Sequence, residues 1–124
     1  MSWLGKIFGG GEKLQPISIN DENFKSEILE SNVPVLLDVW GPSCAPCQKL
    51  APIIVDIATD YGDRLKVAEM NAAASPRTMG RLGIRGTPTV VYFDRGREVD
   101  RVVVFKVSLY HRDIIDNDIL AEVT

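Results

Sequence analysis

The sequence predicts an α/β domain built on a mixed β-sheet, and three observations carry that prediction. Val33 to Trp40 is a nearly unbroken apolar run, as a parallel strand buried on both faces requires. Leu50, Ile54, Ile57, Ala58 and Tyr61 follow at helical spacing, so a helix comes after that strand. Thr89 to Phe93 is rich in β-branched and aromatic residues and leads through Asp94-Arg95-Gly96-Arg97 into a second β-type run, the pattern of an antiparallel hairpin. The full order reads βαβαβαββα, which gives about five strands, parallel at the crossovers and antiparallel at the hairpin, flanked by about four helices.

The chain has 124 residues, 45% of them hydrophobic and 25% charged, enough for one domain with a real core and too few for two. Residues 1–13 read as a flexible N-terminal extension: Trp3, Leu4, Ile7 and Phe8 are spaced as one or two amphipathic turns, and Gly9-Gly10-Gly11 forms a linker. Gly5 and Lys6 interrupt its apolar stretch, so it does not read as a secretory signal, and a cytoplasmic location is expected. No run of 18 apolar residues occurs, so no membrane span is expected.

The domain is expected over residues 14–124. Leu14 to Ile19 reads as an edge strand that tolerates Pro16. Asn20 or Asp21 caps a helix with Phe24, Ile28 and Leu29 on one face, ending near Ser31-Asn32. The strand 33–40 contains one charge, Asp38, and after Gly41-Pro42 a helix runs from the cysteines to about Tyr61, with a kink expected at Pro52. Leu65 to Asn71 is the next strand and residues 76–82 a short helix. The hairpin pairs Thr89–Phe93 with a strand over Val99 to Val107. A closing helix from about Ser108 places Ile114, Ile115, Ile119, Leu120 and Val123 on one side. Met79 and Tyr92 are assigned to the core and His111 to the surface.

A formal charge of −3 with no Lys/Arg cluster leaves no electrostatic footprint for nucleic acid. The two cysteines, Cys44 and Cys47, stand in a C-x-x-C motif, which serves as half of a zinc site, as a haem attachment or as a redox dithiol. Haem attachment needs His at position 48, which is Gln48. A structural zinc site needs about four ligands, and His111 has no second His or Cys beside it. A dithiol, or a metal shared between two chains, remains.

The strand Val35-Leu36-Leu37-Asp38-Val39-Trp40, the Cys44-Ala45-Pro46-Cys47 motif, the helical Ala51-Pro52 and the segment Gly83-Ile84-Arg85-Gly86-Thr87-Pro88-Thr89 resemble, in order and spacing, the landmarks of the thioredoxin family. The likeness runs from about Leu14 to the C-terminus. It implies the thioredoxin fold and a thiol-disulfide oxidoreductase, a protein-disulfide reductase that exchanges through a Cys44 mixed disulfide resolved by Cys47. It further implies disulfide-containing protein substrates, an upstream electron donor such as a thioredoxin reductase, a monomer, and neither a bound cofactor nor a metal.

The position of Cys44 supports that chemistry physically. It opens a helix after a buried strand, where free N–H groups and the helix dipole favour a thiolate. Cys47, one turn further in, is expected to be more buried. Pro46 sets φ in the first turn, where its missing donor costs nothing. Asp38 reads either as a structural buried acid or as a proton acceptor for Cys47, and the resemblance implies the second. The resemblance also implies that Thr87-Pro88 is cis and that Trp40, Ala45, Pro46, Thr87 and Pro88 meet the substrate.

Several residues depart from the family pattern. Ser43 replaces a tryptophan, Ala45 a glycine and Glu69 a lysine, and Val99 to Val107 has no glycine where one is usual, so that Phe105 or a neighbour narrows the groove. If Glu69 points toward Asp38, its charge raises the Asp38 pKa. Two alternative readings follow: an adaptor using the fold as a scaffold, and a dimer pooling its C-x-x-C pairs around zinc or an iron-sulfur cluster.

Overall fold

Five strands form one sheet: β1 (Ile17–Ile19), β2 (Val35–Trp40), β3 (Lys66–Asn71), β4 (Thr89–Asp94) and β5 (Arg97–Val102). Their spatial order is β1-β3-β2-β4-β5, with β1/β3 and β3/β2 parallel and β2/β4 and β4/β5 antiparallel. The computed structural model describes residues 12–121, so most of the N-terminal extension, and Val123, lie outside the described residues. The helices are α1 (Lys25–Leu29), α2 (Ala45–Tyr61), α3 (Pro76–Leu82) and α4 (Ser108–Ile114). α1 is a single wide turn of π type, closed by Glu30 N–H on the Lys25 carbonyl, and α4 runs on into a similar turn, Ile115–Ile119.

The apolar run around β2 becomes a central strand because both its faces are covered; Val35 to Val39 are all buried. Alternation along the strand then divides the core in two. Leu36 packs with Leu50, Ile54, Ile57 and Tyr92 on the side of α2 and α4. Val35, Leu37 and Val39 pack with Phe24, Ile28 and Phe93 on the side of α1 and α3. The same alternation turns Asp38 and Trp40 toward α2, along with Leu36.

The hairpin turn has Arg95 at φ 54° and Gly96 at φ 80°, the two left-handed residues of the turn that matches strand twist. A side chain on Gly96 would lie 2.6 Å from the Leu29 carbonyl oxygen, so this turn is also where α1 docks. β5 carries Arg97, Glu98, Asp100 and Arg101, charges that protect an exposed sheet edge.

Some expectations are corrected. The last strand ends at Val102 and does not reach Val107. Val102 pairs with Val90, so a continuation would run past Thr89 to Pro88, which has no N–H to offer. Val103, Val104 and Val107 are exposed instead. The first strand is confined to Ile17–Ile19, and the first helix is far shorter than its apolar pattern suggests. Asn20 caps that turn by accepting from the Glu22 and Asn23 amides. Asp21 leaves it to cap α3, accepting from the Thr78 amide at 2.8 Å and the Thr78 hydroxyl at 2.7 Å.

His111 is not on the surface: it is fully buried, with Nδ1 2.7 Å from the Tyr92 hydroxyl. It lies four residues before buried Ile115 and so shares its inward face. Burial alone pushes its imidazole down to about 4. Met79 and Tyr92 lie in or against the core as expected.

Candidate active site

β2 delivers the chain to Gly41, and a tight turn reverses it into α2. Ser43 takes φ 60°, and Cys44, in extended conformation, becomes the N-cap of the helix. Its sulfur accepts from the Cys47 amide at 3.2 Å, a sulfur in the place where a serine or aspartate oxygen usually caps. Cys44 and Cys47 are joined in a disulfide with Cα atoms 5.2 Å apart. Cys44 is half-buried and Cys47 only 5% exposed, the order expected for an outer and an inner sulfur. Pro46 lies in the first turn, where no N–H is needed, and with Ala45 is exposed beside the disulfide.

Behind the disulfide lies a cavity of about 340 Å³ whose walls include Asp38, Trp40, Cys47, Ala51, Ile54 and Glu69. Asp38 and Glu69 are direct neighbours across the parallel β2/β3 pair. The Asp38 side chain is buried, and its Oδ1 has no hydrogen-bond partner in the protein. Burial in the first place, and the Glu69 charge in the second, push the Asp38 carboxyl up to about 7. Glu69 accepts from the Trp40 indole N–H at 2.6 Å.

The Thr87–Pro88 peptide is cis, and Pro88 is buried where the chain enters β4. Thr87 reaches the turn after β2: its hydroxyl lies 3.0 Å from where a Gly41 side chain would begin. Thus Asp38, Trp40 and Cys47 meet at one cavity, Cys44, Ala45 and Pro46 form the helix start that leads to Cys47 but do not line that cavity, and Thr87 flanks the turn. Phe105 is half-buried against the core on the α2 side, with the Lys49 ammonium 5.2 Å over its ring. The sequence reading missed Gln15, Pro16, Gly41 and Ala51 around the site. Ala51, one helical turn after Cys47, and Gly41, directly after Trp40, left local signals; Gln15 and Pro16 arrive through tertiary packing.

Residues 15–112 match the family model for Thioredoxin. The chain belongs to the thioredoxin family. It is 43% identical over 86 residues to "Thioredoxin 1" of Synechococcus elongatus, an alignment covering 69% of this chain and 80% of that protein. It is 41% identical to "Thioredoxin M-type, chloroplastic" of Chlamydomonas reinhardtii, over 69% of this chain and 61% of that one. Identity to "Thioredoxin" of Rickettsia prowazekii is 41%, over 67% and 79%.

With its Cys44–Cys47 disulfide at a helix N-terminus, this thioredoxin-family chain is a thiol-disulfide oxidoreductase. Among the described residues, no three His, Cys, Asp or Glu side chains converge as a metal site would need, and no helix is long and apolar enough to cross a membrane. Neither the site nor the relatives favour the adaptor or shared-metal readings.

Proposed function

We propose that this oxidoreductase reduces disulfides in protein partners, with Cys44 as nucleophile and Cys47 as resolving thiol. The observation that carries the assignment is the pairing of a half-buried helix-capping sulfur with a buried one beside the Asp38 cavity. The Cys44 thiolate attacks a partner disulfide, and one partner sulfur leaves as a thiol. Cys47 then gives its proton to the Asp38 carboxylate and attacks the Cys44 sulfur, which frees the second partner thiol and forms the Cys44–Cys47 disulfide. Electrons are carried by the two sulfurs, so the exchange uses no bound cofactor.

The platform for the partner consists of Trp40, Ala45, Pro46, Thr87 and Pro88, with the Thr87 backbone offering hydrogen bonds to an extended peptide. Residues 14–124 form the catalytic domain, a monomer, and residues 1–13 an extension to it. The working compartment is the cytoplasm, where an upstream reductase such as a thioredoxin reductase regenerates the dithiol. Equilibration of Cys44 and Cys47 against glutathione tests the direction: a midpoint near −270 mV, roughly that of thioredoxin, is expected, and one near −120 mV, roughly that of a disulfide-forming oxidant, overturns it. A Cys47→Ser variant accumulates mixed disulfides with its partners, and their identification by mass spectrometry names the substrates.

A further inference from the structure

We propose that Glu69 is a positioning residue for proton transfer in this active site: held by the Trp40 indole, it sets from the neighbouring strand the proton affinity of Asp38 toward Cys47. The inference rests on the reading of Asp38 as the base in the proposed exchange.

Three geometric facts carry it. Parallel register sets Glu69 directly beside Asp38, and strand alternation turns both to the α2 side, where Leu36 and Val67 of the same two strands already pack. Both carboxyl residues line the cavity that also reaches Cys47. The Trp40 N–H, at 2.6 Å from Oε1, holds the Glu69 side chain in that wall rather than letting it swing into solvent.

Among the described residues, no cation lining the cavity opposes the Glu69 charge. The titratable groups that the described residues place around the cavity are Asp38 from β2, Glu69 from β3 and, once reduced, Cys47 from α2; Gln15, Ser43 and Gln48 are polar but neutral, and none of the described lining residues is a cation. From β4, packed on the other side of β2, Val90 stands opposite Asp38 and Thr89 opposite Val39. A negative neighbour in a poorly solvated wall makes Asp38 a stronger base, and it is one of the two causes that raise the Asp38 carboxyl.

The step affected is resolution of the mixed disulfide. The Cys47 proton moves to the Asp38 carboxylate, the Cys47–Cys44 bond forms, the Cys44–partner bond breaks, and the electron pair leaves on the partner sulfur, which takes a proton from solvent. The two cysteines are oxidised and the partner disulfide is reduced. A stronger base takes the proton more readily but loses its ionised form at a higher pH, so the acid limb of the rate profile reports the coupling.

The test titrates Asp38 by the NMR shift of its carboxyl carbon in the disulfide form, and follows insulin reduction against pH, in wild type, Glu69→Gln, Glu69→Lys and Asp38→Asn. In Glu69→Gln both the Asp38 midpoint and the acid limb are expected to fall by roughly half a pH unit or more, and in Glu69→Lys further. Native near-ultraviolet circular dichroism keeps either variant interpretable, and the lysine variant stands in if the glutamine one does not fold. An unmoved midpoint in both, with Asp38→Asn still slowing reduction, overturns the role of Glu69 alone. A midpoint that moves while Asp38→Asn reduces insulin at the wild-type rate and pH profile overturns the base assignment, and the proposal with it.

Discussion

The Cys47 amide donates to the Cys44 sulfur at 3.2 Å, so the two residues of the disulfide are also the cap and first turn of one helix. When the bond is reduced, that N–H and the helix N-terminus face whatever charge the outer sulfur carries, while the inner sulfur is buried. In the reduced protein at pH 7, iodoacetamide is therefore expected to modify Cys44 about tenfold or more faster than Cys47, a ratio matching one hydrogen bond to a charged acceptor. Peptide mass spectrometry reads the ratio, and equal labelling would falsify the assignment of outer and inner roles.

Asp38 links the site to stability. Its folded pKa, about 7, is above its unfolded value of 3.8, so its contribution is fully present below about pH 4 and is lost as pH rises through about 7. Asp38→Asn removes the ionised form. The variant should be more stable than wild type by roughly 2–4 kcal/mol at pH 8–9, with the difference vanishing near pH 4. Urea unfolding across that range checks both the size and the sign.

His111 has the opposite dependence. Its folded pKa, about 4, is below the ordinary 6.5, so its contribution is present above about pH 6.5 and is lost as pH falls through 4. In Asp38→Asn, where the opposing carboxyl is gone, acid destabilisation between those values becomes visible as a falling urea midpoint. Tyr92→Phe removes the hydroxyl at Nδ1, and Nε2 already has no protein partner. A loss of about 1–3 kcal/mol at pH 7 is expected; a loss near zero refutes the claim that this hydrogen bond holds α4 to β4.

Gly41 tests the partner platform. A methyl there begins 3.0 Å from the Thr87 hydroxyl, closer than an easy contact, so Thr87 must shift by a few tenths of an ångström. Gly41→Ala should raise KM for a protein disulfide about threefold to tenfold with kcat little changed. The pressure comes from a side chain, so Thr87→Ala in the same protein should restore KM if the Thr87 backbone is what partners use. A double variant as weak as the single one locates the effect elsewhere.

Much of this molecule was legible locally. The apolar run of β2, the helical spacing of α2 and the composition of β4 each contain their own periodicity, and the position of Cys44 between strand and helix follows from them. The misreadings share one cause. Val103 to Val107 are mostly β-forming residues but have no partner strand beyond Val102, because β4 begins only at Thr89 and is preceded by Pro88. The pattern at Phe24, Ile28 and Leu29 suits a longer helix, but that segment closes as one wide turn against the hairpin at Gly96. His111 looked solitary in a surface helix until its face was aligned with Ile115.

The amino-acid sequence by itself determined the order of elements, the redox pair at a helix start and a single acid inside a buried strand, since each depends on spacing between near neighbours. Only the tertiary structure decided that Glu69 stands beside Asp38, that Thr87 presses on Gly41, that Asp21 caps α3 rather than its own turn, and that Tyr92 holds His111. Those meetings depend on register and packing between segments far apart in the chain. A strand pattern states which face a residue takes but not which residue of the next strand lies across from it.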